Sequence, residues 1–328
     1  MPELPEVQTT VDGLKRVLPY LFIKDVWTDL NTKDKRQSSS VKNPKYFEIF
    51  KTEVRGKRIF NVTRRGKNIL IEIEGGKIIL IHMKMTGHLL FGTYIKQELK
   101  VESGKSKVEI KEVWLPAPTE KNKALSDPFN RFIHFVFILK DPKEIGAKAI
   151  KHLAFSDMRK FGKITLIDKN ELEKTIHLMH LGPEPLDSSF TKQKMMTQLL
   201  KKENGKIKQV LMDQSVISGI GNIYSDEMLW LAGIHPEEKV KHIPLPKFFL
   251  LYDALKEVLS KGIDFGGDSM SDYRNIDGKP GKFQHHHNAY RKTGKQCGKP
   301  GCTGVILRKQ VGGRSAHYCS VHQKLINT

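Results

Sequence analysis

Cysteine is scarce and unevenly placed: the 328-residue chain has three, Cys297, Cys302 and Cys319, all near its end. An odd number confined to one tail argues against a disulfide-stapled secreted scaffold and suits metal coordination better. Long apolar runs are missing as well, and none approaches the roughly 20 residues of a membrane span. The N-terminus, MPELPEVQTT, holds two acids and no apolar segment, so it does not read as a secretory leader. The expected setting is intracellular, the cytoplasm or nucleoid of a prokaryote or the nucleus or an organelle of a eukaryote. Acids are the third shortage, 36 against 56 Lys plus Arg, for a formal charge of +20. Such an excess favours a polyanion, because each phosphate neutralised releases condensed counterions. Solubility is the plainer reading of the same charge, and charge alone says nothing of catalysis.

What is present fits a folded chain, with 38% hydrophobic and 28% charged residues and enough length for two cores. Val7, Val11, Leu14 and Val17 recur at helical spacing after Pro5, which predicts an amphipathic N-terminal helix. A β-rich stretch follows. Asn68–Glu74 partly alternates, Gly75-Gly76 turns the chain, and Lys77–His82 returns as a hairpin partner. Strands are expected near Arg131–Leu139 and Lys163–Ile167. The lysine-rich, aperiodic stretch Gly92–Asn130 reads as an insertion or long loop. Beyond Asp168 the pattern is helical, over Thr191–Lys202, Ile207–Asp213, Ile223–Ala232 and Pro246–Lys261. A polar, glycine-rich segment then runs from Gly266 to Tyr290, before the cysteine tail.

Pro2 is the first residue with chemistry to offer. If Met1 is removed, the chain begins with a secondary amine whose pKa lies near 8, in the α-amino range, so a useful fraction is unprotonated at neutral pH. Such an amine can attack a carbonyl-level carbon and form a permanently charged iminium, a strong electron sink. Glu3 lies beside it and Glu6 one helical turn on, so acids are at hand for proton transfer. The bland alternative is a helix start whose first turn favours proline and acids.

The motifs together tip the balance. PELPEV, Arg64-Arg-Gly-Lys67, His82-Met-Lys-Met-Thr-Gly87, Asp157-Met-Arg-Lys-Phe-Gly162, Leu181-Gly-Pro-Glu-Pro-Leu186, Gly219-Ile-Gly-Asn-Ile-Tyr224 and Asp277-Gly-Lys-Pro-Gly-Lys-Phe283 occur in one order along the chain. In sequence and order they resemble the formamidopyrimidine-DNA glycosylase family, across nearly the whole length. The resemblance implies an α+β fold: an N-terminal β-sandwich flanked by helices, over residues 1–168; a helical domain with a helix–two-turn–helix, over 169–290, carrying a lesion-recognition loop near 266–283; and a small zinc-finger hairpin over 291–328. It implies a monomer acting on damaged double-stranded DNA, with no membrane partner, as a bifunctional glycosylase and lyase of base excision repair that removes oxidised purines.

Carried over residue by residue, the resemblance makes Pro2 the nucleophile and Glu3 the acid that assists sugar opening. Lys67 would assist β-elimination, and Arg314 would bind phosphate and aid δ-elimination. Met85, Arg159 and Phe161 match the residues that fill the gap left by an extruded nucleotide, while His82, His134 and Asn222 match DNA contacts. Phe161 sits in Arg-Lys-Phe-Gly, a context for a loop tip more than for a core. Extrusion is needed because the reacting carbon is hidden in a stacked duplex.

The tail departs from the family, which usually shows four cysteines in two close pairs. Here Cys297, Cys302, Cys319 and His322 are expected to bind one structural Zn²⁺, since three thiolates and an imidazole make an acceptable tetrahedral set. His317 competes for the fourth position, and a metal-free hairpin is the plain alternative. Phe132 stands where some members have a DNA-contacting histidine. The run His285-His-His287 reads as a metal site, a nucleic-acid contact or simply a loop. Two other functions compete. One is an enzyme like endonuclease VIII, acting on oxidised pyrimidines; that group usually begins PEGPE, whereas Leu4 stands here. The other is an inactive damage-binding protein, which would have no need of Pro2 and Glu3.

Overall fold

The computed structural model describes residues 1–32, 34, 37–103, 107–270 and 272–326. The chain opens with helix α1 (Leu4–Val17), whose first turn is held by a capping box. The Glu3 and Glu6 side chains each accept from the other end of that turn, and Pro5 supplies a preset φ where no N–H is needed. As the spacing predicts, Val7, Val11 and Leu14 are buried.

Two four-stranded antiparallel sheets form the N-terminal part. One has the order β1 (Phe22–Thr28), β8 (Ile133–Lys140), β9 (Ile150–Ser156), β5 (His88–Gly92); the other β10 (Lys163–Asp168), β4 (Lys77–His82), β3 (Asn68–Ile73), β2 (Ile59–Arg65). Alternation along the strands sends Leu89, Phe135, Phe137 and Phe155 inward, to meet Ile69, Ile71, Ile79 and Ile81 of the other sheet. Helix α1 and helix α2 (Pro44–Val54) cover this core, α2 starting from an Asn43 side-chain cap. The N-terminal β-sandwich flanked by helices is thus present.

The stretch expected to be a loop is instead folded. Strands β6 (Tyr94–Ser103) and β7 (Lys107–Pro116) make a long hairpin. Its base is anchored by Tyr94 and Trp114, which pack with Leu90, Val136 and Ala154 on the outer face of the first sheet. Trp27 meets Trp114 edge-on at 5.9 Å. The insertion therefore gives that sheet a third layer. Its pattern is hard to read because towards the tip the side chains that are seen, such as Leu99 and Ile110, are exposed.

Helices α3 (Lys192–Leu200), α4 (Ile207–Met212), α5 (Asn222–Ala232) and α6 (Leu245–Asp264) surround a second core centred on Leu211, Tyr224, Met228 and Leu255. Thr191 caps α3, and Gly233 closes α5 in the left-handed conformation that favours glycine. Helices α4 and α5, with the turn between them, are the helix–two-turn–helix. Strands β11 (Ile306–Val311) and β12 (Arg314–Cys319) form the last hairpin. Leu4, the first residue of α1, belongs to the helical core while the rest of that helix serves the sandwich.

Candidate active site

The start of the chain is fixed between the two main bodies. Pro2 is buried, and the Leu4 N–H donates to the Gly219 carbonyl at 3.0 Å. The Glu3 carboxylate accepts from the Ile223 N–H at 3.0 Å, at the N-terminus of α5, where free N–H groups and the helix dipole favour an anion. Glycine is needed at 221 because a Cβ there would run into the Glu3 carboxyl group. Behind Glu3 lies Glu6, which accepts from the Glu3 N–H (2.7 Å), the Tyr224 hydroxyl (2.5 Å) and the Asp268 N–H (2.7 Å). Burial, with the neighbouring Glu3 charge, pushes the Glu6 carboxyl up to about 7.

Lys67 reaches the same corner from the β2–β3 turn and donates to the Ile220 carbonyl at 2.8 Å. Burial pulls its ammonium below the usual lysine range, Glu3 and Glu6 oppose that, and Arg314 adds to it. Arg314 is thus electrostatically coupled to Lys67 although it sits, exposed, at the tip of the last hairpin. The two arginines before Lys67 are structural. Arg64 and Arg65 both grip Glu184, at 2.6 and 3.0 Å, locking the β2–β3 turn to the Leu181–Leu186 segment.

The three expected gap-filling residues lie on two adjoining turns. Met85 is half-buried after β4; Arg159 and Phe161 are exposed between β9 and β10, Phe161 at 49%. The Arg159 guanidinium lies 4.5 Å over the Phe161 ring. The turns are tied together by Thr86, which donates to Asp157 and accepts from the Arg159 N–H. Lys84 and Lys160 both hold positive φ, 55° and 54°, an uncommon conformation for non-glycine residues. Phe161 supports no core.

His82 ends β4 and accepts from the Lys84 N–H at 3.0 Å through Nδ1, leaving Nε2–H as its free donor. Burial, with Lys84 and Lys67 nearby, lowers its pKa to about 3. His134 is held at 2.9 Å by Asp29, and Asn222 opens α5.

In the tail, one ligand atom each from Cys297, Cys302, Cys319 and His322 lie within 4.8 Å of one another. The Cys302 and Cys319 sulfurs are 3.5 Å apart, and His322 Nδ1 is 3.6 Å from the Cys297 and Cys302 sulfurs. Tetrahedral Zn²⁺ with bonds near 2.3 Å to sulfur needs ligand separations of about 3.8 Å, so the set fits a metal. His322 Nε2–H donates to the Trp230 carbonyl at 3.0 Å, which leaves Nδ1 as the coordinating nitrogen. His317 is not part of the cluster. Its Nδ1 is 2.8 Å from buried Asp226, which also pairs with Lys208. The three neighbouring histidines separate as well: His285 is exposed, His286 stacks on Phe265 at 3.7 Å, and His287 lies 2.8 Å from Asp268.

Sequence comparison accounts for this arrangement. Residues 1–164 match the formamidopyrimidine-DNA glycosylase N-terminal domain, and residues 181–274 match the H2TH domain of the same enzymes. The Pelotomaculum thermopropionicum formamidopyrimidine-DNA glycosylase is 32% identical over 325 residues, 99% of this chain and 100% of that protein. The chain belongs to the formamidopyrimidine-DNA glycosylase family. It is a DNA-repair enzyme, a DNA glycosylase. Among solved structures, the Lactococcus lactis Fpg with abasic-site DNA superposes with a TM-score of 0.75 at 30% identity, covering 98% of this chain and 99% of that one. The same Lactococcus protein with N7-benzyl-Fapy-dG DNA gives 0.75 at 28% identity, over 98% and 100%.

Within this family member the structure joins Glu3, Lys67 and the Gly219–Asn222 turn in one corner, with Pro2 buried at the head of that segment; the Met85 and Arg159–Phe161 turns and the cysteine cluster are separate assemblies. Several supporting groups had no local signal. Tyr224, Asp268 and Gln214 meet the site only through the fold, Gln214 by donating to the same Ile220 carbonyl as Lys67. Asp226 is another, recognisable only once His317 is seen beside it.

Proposed function

We propose that this glycosylase excises oxidised purines from duplex DNA and cleaves the resulting site through a Schiff base on Pro2. The observation that carries the reading is the corner just described: Glu3 on the N-terminus of α5, Lys67 buried against Ile220, and Pro2 buried at the head of the same segment. Once Met1 is removed, the Pro2 nitrogen attacks the anomeric carbon, and the base departs with the electron pair of the glycosidic bond. Glu3 supplies a proton to the sugar oxygen as the ring opens. The iminium then acts as the electron sink while a 2′ proton is lost and the 3′ phosphate leaves; a second elimination releases the 5′ phosphate. Lys67 assists that proton traffic, a role its burial and lowered ammonium pKa support, and Arg314 holds phosphate. Met85, Arg159 and Phe161 fill the vacated stack, while His82, His134 and Asn222 contact the DNA.

Purines are favoured over pyrimidines by Leu4 in the opening motif and by the Arg-x-Phe wedge. Cys297, Cys302, Cys319 and His322 would hold Zn²⁺, which supplies a structural cross-link and no chemistry. Borohydride trapping on abasic duplex tests the core of the proposal. The mature protein should become covalently attached to DNA and should begin at proline. Pro2→Gly, or protein retaining Met1, should lose base excision; full excision activity in either form overturns the mechanism.

A further inference from the structure

The insertion does more than cover a sheet. Its descending strand leads into Ala117–Phe132, two 3₁₀ turns wedged between the Arg159–Phe161 turn and the segment expected to read the lesion. We propose that Asn122 and Asn130 on this segment are positioning residues that brace residues 272–281 of the expected lesion loop, so that discrimination between lesions depends on the insertion. The proposal rests on the glycosylase reading above and deepens it.

The contacts are specific, and those of Asn130 with Gly278 and His88 are buried. Asn122 Nδ2 donates to the Asp277 carbonyl at 2.8 Å, while its Oδ1 accepts from the Ala124 N–H at 3.2 Å. Asn130 is 1% exposed; its Nδ2 donates to Ala124 O at 2.8 Å and to Gly278 O at 3.3 Å. Its Oδ1 lies 3.0 Å from His88 Nε2 on β5. Burial lowers the His88 pKa to about 4, so the neutral ring is the donor in this pair and ties the brace to the sheet. Gly278 has φ 78°, and a Cβ there would stand 2.7 Å from Ala124 O, so loop and insertion touch backbone to backbone. Arg274 lies 4.5 Å over Phe129 and 3.5 Å from Asp127.

The loop meets the reaction corner on both sides, for the Tyr273 hydroxyl donates to the Glu6 carbonyl at 3.0 Å. At its other end the Asp268 N–H donates to Glu6, one step behind Glu3. The brace also reaches the wedge, since the Asp157 N–H donates to Phe132 O at 2.8 Å. A binding wall held to within a fraction of an ångström discriminates between similar bases; one free to shift does not.

Asn122→Ala and Asn130→Ala should be compared with the parent on duplexes carrying 8-oxoguanine, a formamidopyrimidine, or a preformed abasic site. Single-turnover excision of the two lesions should fall about tenfold, and by unequal amounts, while abasic-site incision stays within about twofold. Tryptic cleavage after Lys282, which is exposed and followed by Phe283, should accelerate. Asn130→Ala leaves His88 without its acceptor; should it fail to fold, half-exposed Asn122 decides the matter. An unchanged lesion ratio, or an equal loss on all three substrates, overturns the brace. Failure of the parent itself to incise abasic DNA would instead overturn the lyase reading.

Discussion

Glu6 is buried against a second carboxylate and carries its proton up to about pH 7, against 4.5 in an ordinary chain. Its folded-state pKa is raised, so its contribution to stability is full below the unfolded value and is lost as pH rises through about 7. The melting temperature of the parent should therefore decline relative to Glu6→Gln between about pH 4.5 and 7 and run parallel to it above that. The slope is the readout, since the amide also disturbs a site that accepts three donors. Curves parallel over the whole range would show that Glu6 stays ionised. His82 has the opposite sign: its depressed pKa gives stability that is present above 6.5 and fades as pH falls towards about 3. Phe161 calls for a different measurement. A buried Phe→Ala costs about 3–5 kcal/mol, but this ring is half exposed, so Phe161→Ala and Arg159→Ala should melt close to the parent. Excision from paired duplex should drop in both, with less effect on a single-stranded abasic site, and Arg159→Ala should respond less to the opposing base. A large drop in melting temperature with unchanged opposite-base preference would return both residues to ordinary packing.

Among the elements, the last hairpin depends most on its cluster. Purified protein should carry one zinc per chain, and Cys319→Ser should fail to retain it by mass spectrometry of the metal. Stripping the metal should weaken DNA binding, because Arg314 sits at the hairpin tip; metal-free protein with undiminished affinity would show that Asp226, through its grip on His317, suffices to hold β12. Elements were legible in the sequence wherever the pattern was local. Helix α1, the β3–β4 hairpin and the Thr191-capped α3 follow from spacing, glycine pairs and caps. Helix α2 has comparable marks in Asn43 and Pro44, yet its exposed Ile49 blurs the periodicity. The β6–β7 hairpin escaped because its charges occur on strands exposed at one end and anchored by two aromatics at the other. The site divides the same way. Pro2, Glu3 and Lys67 stand in motifs, whereas Tyr224 meets Glu6 across 218 residues and Asp268 across 262, separations that no pattern encodes.

Over the whole molecule the charge of +20 sets how DNA is held. If several phosphates are neutralised, affinity for undamaged duplex should fall by about 10³ or more between 50 and 200 mM salt, measured by fluorescence anisotropy. A flat salt response would assign the charge to solubility. Two cores share a single helix: Leu4 is enclosed by the helical body while Val7, Val11 and Leu14 are enclosed by the sandwich. That sharing has a consequence for synthesis. The sandwich can close once β10, ending at Asp168, has left the ribosome. Its reactive end then waits, because the N–H groups that seat Glu3 belong to residues 223 and 224 and the one that restrains Glu6 belongs to residue 268. On the Schiff-base proposal, an unfinished chain, or one broken within the helical body, would carry the amine without the groups that seat Glu3 and Glu6, and should be inactive on DNA.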